Sequence, residues 1–144
     1  MRVSKKSEYA VRALVEMVLR AGESQGWRQT SQIAANTGIP EKFLEQILLV
    51  LKKGGLLTSR RGAVGGYALA VPAETVTLDR IIGMLDGGVV EEGEEDASCA
   101  GLYREVLARA EEASREVLRG TSLADLADEV RRRNPGGAGI EYQI

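Results

Sequence analysis

Apolar residues recur at intervals of three and four along most of this chain, which is the spacing of amphipathic helices. The pattern predicts a first helix over residues 7–21. A second helix is expected to close at Gly38, with Thr30 or Ser31 as its N-cap. A third helix opens at Pro40, where a missing N–H costs little. The short segment from Gly38 to Pro40 is therefore the turn between two helices.

The third helix divides into an apolar side and a polar side. Lys42, Glu45 and Gln46 are predicted to face outward. Glu41 at its start and the lysine pair 52–53 at its end suit the helix dipole. The residues predicted to be buried are Phe43, Leu44, Ile47, Leu48 and Leu51.

A basic, glycine-rich loop follows this helix. Residues 56–70 read LLTSRRGAVGGYALA, two short apolar runs on either side of that loop. Such a segment is typical of a two-stranded β-hairpin. Trp27 lies in a short segment that we expect to add a third strand. Helix, turn, helix and basic hairpin is the order of a winged helix-turn-helix, a module that binds DNA.

The second half of the chain predicts three more helices. Thr77 caps the fourth, the fifth runs over residues 102–118, and the pair 121–122 caps the sixth. We divide the chain into a winged helix-turn-helix domain (1–86), an acidic linker loop (87–98), a dimerisation helix with the C-terminal helix (99–134) and a flexible tail (135–144). The fold class is mainly α with a small β-hairpin.

The long fifth helix carries an apolar stripe on a chain that already has an N-terminal core. A second copy of the chain is the natural surface to cover this stripe, and folding back on its own domain is the alternative. The predicted dimerisation residues are Leu102, Val106, Leu107, Ala110, Ala113 and Val117.

Charge is divided unevenly along the chain. The formal net charge is −2, yet residues 1–72 carry +6 and residues 73–144 carry −8. A basic half attracts a polyanion such as DNA, and an acidic half discourages nonspecific contact with it. No apolar run is long enough to span a membrane, and the basic N-terminus leads into an amphipathic pattern. We therefore expect a cytoplasmic protein without a membrane partner.

The polar face of the third helix has the chemistry of a recognition helix. A carboxylate accepts a hydrogen bond from cytosine N4, and a glutamine amide pairs with adenine N6 and N7. Arg60 or Arg61 at the hairpin tip can enter a minor groove, where the negative potential favours a guanidinium. Arginines 131–133 either contact DNA or only end the last helix favourably, and we favour the second interpretation.

The start of the first helix is a candidate phosphate site. Arg2, Lys5 and Lys6 precede or open that helix, whose first N–H groups can join them at a backbone phosphate. Tyr9, one turn further on, either adds a hydroxyl contact or packs in the core.

Several motifs together resemble the bacterial winged-helix transcription regulators of the IscR, NsrR and CymR type, the Rrf-two family. The resemblance covers about residues 1–85. The matching segments are Ser4-Lys5 with Glu8-Tyr9-Ala10, Gln32-Ile33-Ala34, Gly38-Ile39-Pro40, Phe43-Leu44-Glu45-Gln46-Ile47-Leu48, Leu51-Lys52-Lys53-Gly54-Gly55-Leu56 and RRGAVGGYALA.

The resemblance implies a homodimer that binds a partly palindromic DNA operator. It places Glu45 at the base-reading glutamate and Arg61 at the wing arginine of the family. It also implies phosphate contacts for Ser4, Lys5 and Tyr9 and for the backbone at Gly65 and Gly66. The full set of candidate DNA-binding residues is Arg2, Ser4, Lys5, Tyr9, Thr30, Ser31, Pro40, Glu41, Lys42, Glu45, Gln46, Arg60, Arg61, Gly65, Gly66 and Tyr67.

The chain departs from the cluster-binding members of that family. They carry three cysteines between the fourth and fifth helices, whereas this chain has only Cys99 and no histidine. An iron–sulfur cluster needs several thiolates or comparable donors, and Glu8 with Cys99 gives too few within one protomer. We therefore expect no metal and no cofactor. Cys99 is interpreted as an inert residue at a helix start, with a redox switch as the alternative.

The function expected is sequence-specific regulation of transcription, as a repressor. A regulator that acts through a bound partner enzyme, as CymR-like members do, is the alternative, and a protein or small-molecule effector fits either. An enzyme is not expected, because the chain lacks a histidine and a nucleophile–base constellation. The glycines at 62–66 precede a strand, so they do not form a nucleotide-binding loop.

Overall fold

The computed structural model describes residues 3–87 and 97–136, and within them the chain is mostly helical. The elements in chain order are α1 (Lys5–Leu19), α2 (Thr30–Thr37), α3 (Glu41–Lys53), β1 (Leu57–Arg60), β2 (Gly66–Leu69), α4 (Leu78–Asp86), α5 (Cys99–Arg119) and α6 (Leu123–Arg133). The predicted winged helix-turn-helix order is confirmed in these elements. The linker and tail predictions fall largely on residues outside this description.

Helix α1 runs through the middle of the core. It begins two residues earlier than predicted, because Ser4 is its N-cap and accepts a hydrogen bond from the N–H of Ser7. It ends at Leu19, since Arg20 already leaves the helical conformation. Leu14 is fully buried, and both the helix-turn-helix and α6 pack against α1.

The turn between α2 and α3 depends on a left-handed glycine. Gly38 adopts φ +73° and donates its N–H to the carbonyl oxygen of Ala34 at 2.8 Å. A side chain would strain this conformation, so glycine closes α2 here. Pro40 is the N-cap of α3, and Ile39 between them is buried.

Thr30 and Ser31 do not cap α2, contrary to the prediction. The N-cap is Gln29, whose N–H donates to the side-chain oxygen of Gln32 at 2.9 Å. The side chain of Gln32 is long enough to reach back to the backbone N–H of the N-cap residue. Thr30 and Ser31 are instead the first two residues of the helix.

The apolar side of α3 is buried as the pattern predicts. Leu44, Ile47, Leu48 and Leu51 are all at most 2 % exposed. Phe43 is only half-buried, because it lies at the margin of the core.

The hairpin has the predicted antiparallel pairing. Leu57 lies opposite Leu69, and Arg60 lies opposite Gly66 at the turn end. A third extended segment joins it through one isolated bridge, in which Arg28 and Tyr67 exchange two backbone hydrogen bonds of 2.8 Å each. The third-strand prediction is thus confirmed at one residue pair, with Arg28 rather than Trp27 as the paired residue.

Of the last three helices, α4 and α6 pack against α1 and complete the core. Thr77 caps α4 and Ser122 caps α6, each accepting a backbone N–H from the third residue of its helix. Helix α5 begins at Cys99, three residues before the predicted start, because Ser98 caps it. No helix in the described ranges 3–87 and 97–136 is long and apolar enough to cross a membrane.

A buried ion pair joins α1 to the extended segment beside the hairpin. Glu16 and Arg28 are 2 % and 4 % exposed, and Arg28 Nη2 lies 3.6 Å from Glu16 Oε1. The same carboxylate oxygen accepts hydrogen bonds from Arg20 of the α1 C-cap and from Asn36 Nδ2 of α2. Arg28 also pairs with the exposed Glu23 at 3.3 Å. One carboxylate therefore connects three parts of the domain.

Replacing Glu16 by glutamine should lower the free energy of unfolding by about 3 kcal/mol, because the buried guanidinium of Arg28 loses a counter-charge that is itself buried. The matched control on the same helix is Glu8→Gln, where the side chain is half exposed and pairs with Lys5. That change should cost less than about 1 kcal/mol. Urea denaturation of both variants measures the difference, and equal losses would contradict this role for Glu16.

Candidate DNA-binding surface

The first two turns of α3 present an open polar face. Glu41, Lys42, Glu45 and Gln46 are all exposed. Residues three and four apart lie on one side of a helix, so Glu45 follows Glu41 and Gln46 follows Lys42 along the same surface. None of the four side chains forms a hydrogen bond or ion pair with another residue of the described ranges. Their donors and acceptors are therefore available to a ligand.

The two wing arginines have different surroundings. The guanidinium carbon of Arg60 lies 4.3 Å from the centroid of the Trp27 ring, and Arg60 Nη2 donates to the carbonyl oxygen of Val64. Arg61 is exposed, and the described part of the chain offers it no hydrogen bond or ion pair. Arg61 thus projects from the wing, while Arg60 is engaged within it.

The wing tip is held at the start of α2. Gln29 Nε2 lies 3.1 Å from the carbonyl oxygen of Gly62 and 3.3 Å from that of Ala63. Thr30 and Ser31 open the helix directly after Gln29. These two candidate residues therefore lie beside the wing, with Thr30 half-buried and Ser31 exposed.

Two wing glycines are required by the fold itself. Gly66 adopts φ +113°, and a Cβ there would collide with the carbonyl group of Arg28. A Cβ on Gly65 would collide with the carbonyl group of Arg60. Tyr67 is half-buried and pairs with Arg28. These glycines allow segments of the protein backbone to approach one another closely. A contact of their backbone with a DNA phosphate stays a prediction.

The start of α1 already holds a carboxylate. Asp86 Oδ2, at the end of α4, accepts hydrogen bonds from the N–H of Ser4 at 3.1 Å and from Ser7 Oγ at 2.6 Å. Lys5 Nζ pairs with Glu8 at 2.9 Å. The N-terminal groups that we expected at a phosphate are therefore partly used by the protein, and Arg2 lies outside the described residues.

Tyr9 is placed by packing. Its ring meets Phe43 of α3 edge-on, with 5.6 Å between centroids and an interplanar angle of 87°. Lys5 Nζ lies 5.3 Å and the Arg12 guanidinium 5.7 Å from the centroid of the same ring. The half-buried ring joins α1 to α3, which supports the interpretation that Tyr9 packs in the core. The predicted contact of its hydroxyl group with a DNA phosphate stays a prediction.

The carboxyl group of Asp86 is stabilised in its ionised form. Partial burial opposes ionisation, but the hydrogen bonds from Ser4 and Ser7 outweigh it, so the pKa of Asp86 lies below its ordinary value of 3.8. The positive charge of Lys6 acts in the same direction. Asp86 therefore joins the end of α4 to the start of α1 with a charge-assisted contact.

Three residues of this region were missed by sequence reasoning. Gln29 and Trp27 contact the wing tip and Arg60, and Asp86 contacts Ser4 and Ser7. Gln32, three residues after Gln29, was a local signal for the cap. No local signal points from Asp86 to Ser4, because the two lie 82 residues apart.

The predicted dimerisation stripe on α5 is uncovered in the single chain. Leu102, Val106, Leu107 and Val117 are between 45 and 69 % exposed. Ala110 and Ala113 are exposed as well. Tyr103 adds another large ring, 64 % exposed, to this surface. The α5 stripe, defined by these seven residues, is the largest run of exposed apolar side chains on one described element.

The arginines that end α6 are engaged within their own helix. Arg131 pairs with Asp128, and both Arg132 and Arg133 pair with Glu129. These pairs support the interpretation that the arginines end the helix, because each of them has an i,i+3 or i,i+4 partner on α6, with Glu129 shared by two.

The donor set does not fit an iron–sulfur cluster. The whole chain has one cysteine and no histidine, and Cys99 is an exposed residue at the start of α5. The carboxylate of Glu8 faces Lys5 and Arg12. No group of three metal-ligating side chains occurs among the residues that the structure describes. A cluster would lack most of the thiolates that hold it in proteins.

Comparison with known proteins decides the family. Residues 3–129 match the model of the Rrf2 (Rrf-two) family, whose description is iron-dependent transcriptional regulator. The chain belongs to the Rrf2 family. Its donor set departs from the iron dependence in that description, as the single cysteine shows.

Two named regulators of the Rrf2 family illustrate the similarity. The chain is 36 % identical to CymR of Bacillus subtilis over 131 residues, covering 88 % of this chain and 90 % of that one. It is 34 % identical to IscR of Vibrio vulnificus over 89 residues, covering 62 % of this chain and 52 % of that one. Both are named HTH-type transcriptional regulators.

Solved structures of Rrf2 members share the whole architecture. The structure of B. subtilis CymR, titled the global cysteine regulator, matches with a TM-score of 0.78 at 33 % identity, over 90 % of this chain and 98 % of that one. T. potens IscR matches with a TM-score of 0.77 at 30 % identity, over 92 % and 90 %. The protein is a DNA-binding transcription regulator, a class that is generally not enzymatic. The partner-enzyme alternative is not favoured.

The pH dependence of stability should depend on Asp86. The pKa of Asp86 is lower in the folded state than in the unfolded state, so the ionised carboxylate stabilises the fold at pH values above 3.8. This contribution is lost as the pH falls through the pKa of the folded state. Asp86→Asn should therefore be less stable than the wild type at about pH 7, with a gap that narrows below about pH 4. Urea midpoints over a pH series measure this gap. Asp128→Asn, on an exposed pair, is the control, and a pH-independent gap for Asp86→Asn would contradict the assignment.

Proposed function

We propose that this Rrf2-family regulator binds a partly palindromic operator as a homodimer and represses transcription without an iron–sulfur cluster. The observation that carries the proposal is the unengaged polar face at the start of α3, directly before a wing that projects Arg61. Its site of action is the cytoplasm, where bacterial DNA is found.

The start of α3 enters the major groove. That groove is about 12 Å wide and admits one α-helix, whose N-terminal turns then reach the base edges. Glu45 accepts a hydrogen bond from cytosine N4, and Gln46 pairs with an adenine edge. Lys42, at the start of the same face, contacts a phosphate or a guanine. This assignment is supported by the exposure of all three side chains and by their lack of partners within the described ranges.

The wing supplies a minor-groove contact through Arg61. A narrow minor groove has an enhanced negative potential that attracts an inserted guanidinium. Arg61 suits this role better than Arg60, because Arg60 stacks on Trp27 and donates to Val64. The wing therefore recognises the shape of the minor groove, in addition to the bases that α3 contacts in the major groove.

The α5 stripe forms the dimer interface. A helix of 21 residues is about 31 Å long, enough for a two-helix contact between two copies. Two recognition helices fixed by that contact read half-sites about 34 Å apart, one turn of DNA. Folding of α5 back onto its own domain is less suitable, since the stripe stays exposed in the single chain.

The regulatory signal comes from an effector other than a cluster. One cysteine per subunit is too few for a cluster, and the effector class that we favour is a protein or a small molecule. The first experiment is anaerobic purification with an absorption spectrum and iron analysis, beside footprinting on the DNA upstream of the protein's own gene. A colourless protein that protects a palindrome is the expected result, and a coloured, iron-bearing protein would overturn the cluster-free proposal.

Arg61→Ala should weaken operator binding about 5- to 100-fold at fixed salt, the range expected for one good groove contact. The thermal midpoint should not change, because Arg61 has no partner within the described chain. Arg132→Ala removes the same charge from α6 and is the control. Fluorescence anisotropy with the footprinted duplex gives both affinities. An equal, small loss in the two variants would mean that only net charge matters and that the wing makes no specific contact.

Val106→Lys should convert the dimer to a monomer, since the lysine places a charge in the α5 stripe. Ala108→Lys is the matched control, because position 108 is exposed and lies about 200° around the helix from position 106. Sedimentation equilibrium of the two variants measures the mass. If Val106→Lys stays dimeric, the interface lies elsewhere.

A further inference from the structure

One short segment, residues 27–29, makes several contacts with the wing tip. Trp27 lies under the Arg60 guanidinium, with 4.3 Å from the ring centroid to the guanidinium carbon. Arg28 exchanges two backbone hydrogen bonds with Tyr67. Gln29 donates from Nε2 to two carbonyl oxygens of the wing tip, at 3.1 and 3.3 Å. Residues 27–29, here called the wing brace, thus contact the turn end of both strands and the loop between them.

The hairpin needs such support because it is small. Each strand has four residues, and an isolated two-stranded hairpin is marginally stable in water. A loop that is ordered only on binding lowers the affinity, since the ordering entropy is then lost in the complex. A wing that is held in place before binding avoids this cost.

The brace also explains the difference between the two wing arginines. The Arg60 guanidinium is stacked on an aromatic face and donates to Val64 within the tip. Its neighbour Arg61 is exposed and has no hydrogen bond or ion pair within the described ranges. Adjacent residues of an extended strand end project to opposite sides, so holding Arg60 against Trp27 directs Arg61 outward.

We infer that Trp27 and Gln29 are positioning residues for DNA binding, and that Arg60 acts with them inside the protein rather than as a contact to DNA. This inference rests on the proposed operator binding. Trp27, Gln29 and Arg60 together hold the wing so that Arg61 enters the minor groove. Loss of any one of them loosens the tip while the helical core stays folded.

The test uses full-length protein and a duplex selected by the wild-type protein from a random library. Trp27→Leu, Gln29→Met and Arg60→Met should each weaken binding about two- to fivefold, the fold-change that corresponds to one exposed cation–π or side-chain hydrogen bond. Arg132→Met is the charge control for Arg60→Met, and it should bind as the wild type does. Affinity measured against salt concentration is part of the same titrations.

A double-mutant cycle separates positioning from direct contact. If Arg60 acts through Trp27, the Trp27→Leu/Arg60→Met variant should bind no more weakly than the weaker single variant. The neutral change Trp27→Leu should also lower the salt dependence, by less than the change seen in Arg61→Ala, because Arg61 is held less firmly in place. Trp27→Tyr restores an aromatic face and should restore the affinity.

Two readouts do not depend on DNA. Trp27 is the only tryptophan of the chain, so Arg60→Met should change its emission spectrum directly. Amide hydrogen exchange at residues 62–67 should accelerate in all three variants, while the exchange of α1 and α3 stays unchanged. Unchanged thermal midpoints would show that the effect is confined to the wing.

The outcomes discriminate between the two proposals. Wild-type affinity in Trp27→Leu together with weak binding by Arg60→Met would show that Arg60 contacts DNA itself, and would overturn the inference. Additive losses in the double variant would do the same. If the wild-type protein selects no duplex, operator binding fails, whereas the fluorescence and exchange measurements still decide whether the brace holds the wing.

Discussion

The buried carboxylate of Glu16 is the interaction on which the arrangement of the DNA-binding domain depends. It accepts from Arg20 and Asn36 and pairs with Arg28, so α1, α2 and the extended segment beside the wing meet at one oxygen atom. A charge at this depth costs free energy unless it is fully paired. The polar groups around it are therefore restricted to one geometry. Apolar packing alone would permit several, because it is not directional.

That restriction is transmitted to the wing through Arg28. Its side chain is fixed at Glu16, and its backbone pairs with Tyr67 of β2. The close approach requires a residue without Cβ at Gly66, where any side chain would strike the Arg28 carbonyl group. Arg28 is thus one link between the core and the hairpin, and its side chain and its backbone contact different partners. A wing made in this way moves with the helix-turn-helix and not independently of it.

Much of the fold could be predicted from the sequence, because its helices have regular apolar spacing and local caps. The buried face of α3, the helix end at Gly38 and the two-stranded hairpin all follow from signals within a few residues. The site is less predictable. The polar face of α3 follows from periodicity, but the separate roles of Arg60 and Arg61 do not, since they depend on Trp27 more than thirty residues earlier. Asp86 at Ser4 is a tertiary contact of the same kind.

The contact of Asp86 with Ser4 and Ser7 bears on how a signal reaches DNA in this protein. Asp86 ends α4, which packs against α1, α3 and α5, so the carboxylate connects the half of the chain that carries α5 to the start of α1. Tyr9 of α1 packs against Phe43 of α3, which continues the path to the recognition helix. A change in the proposed dimer contact that shifts α4 is therefore expected to act on α1 and α3 through packed groups. Such a path requires only a displacement of α4 or α5. It does not require a metal centre, which is consistent with the single cysteine of this chain.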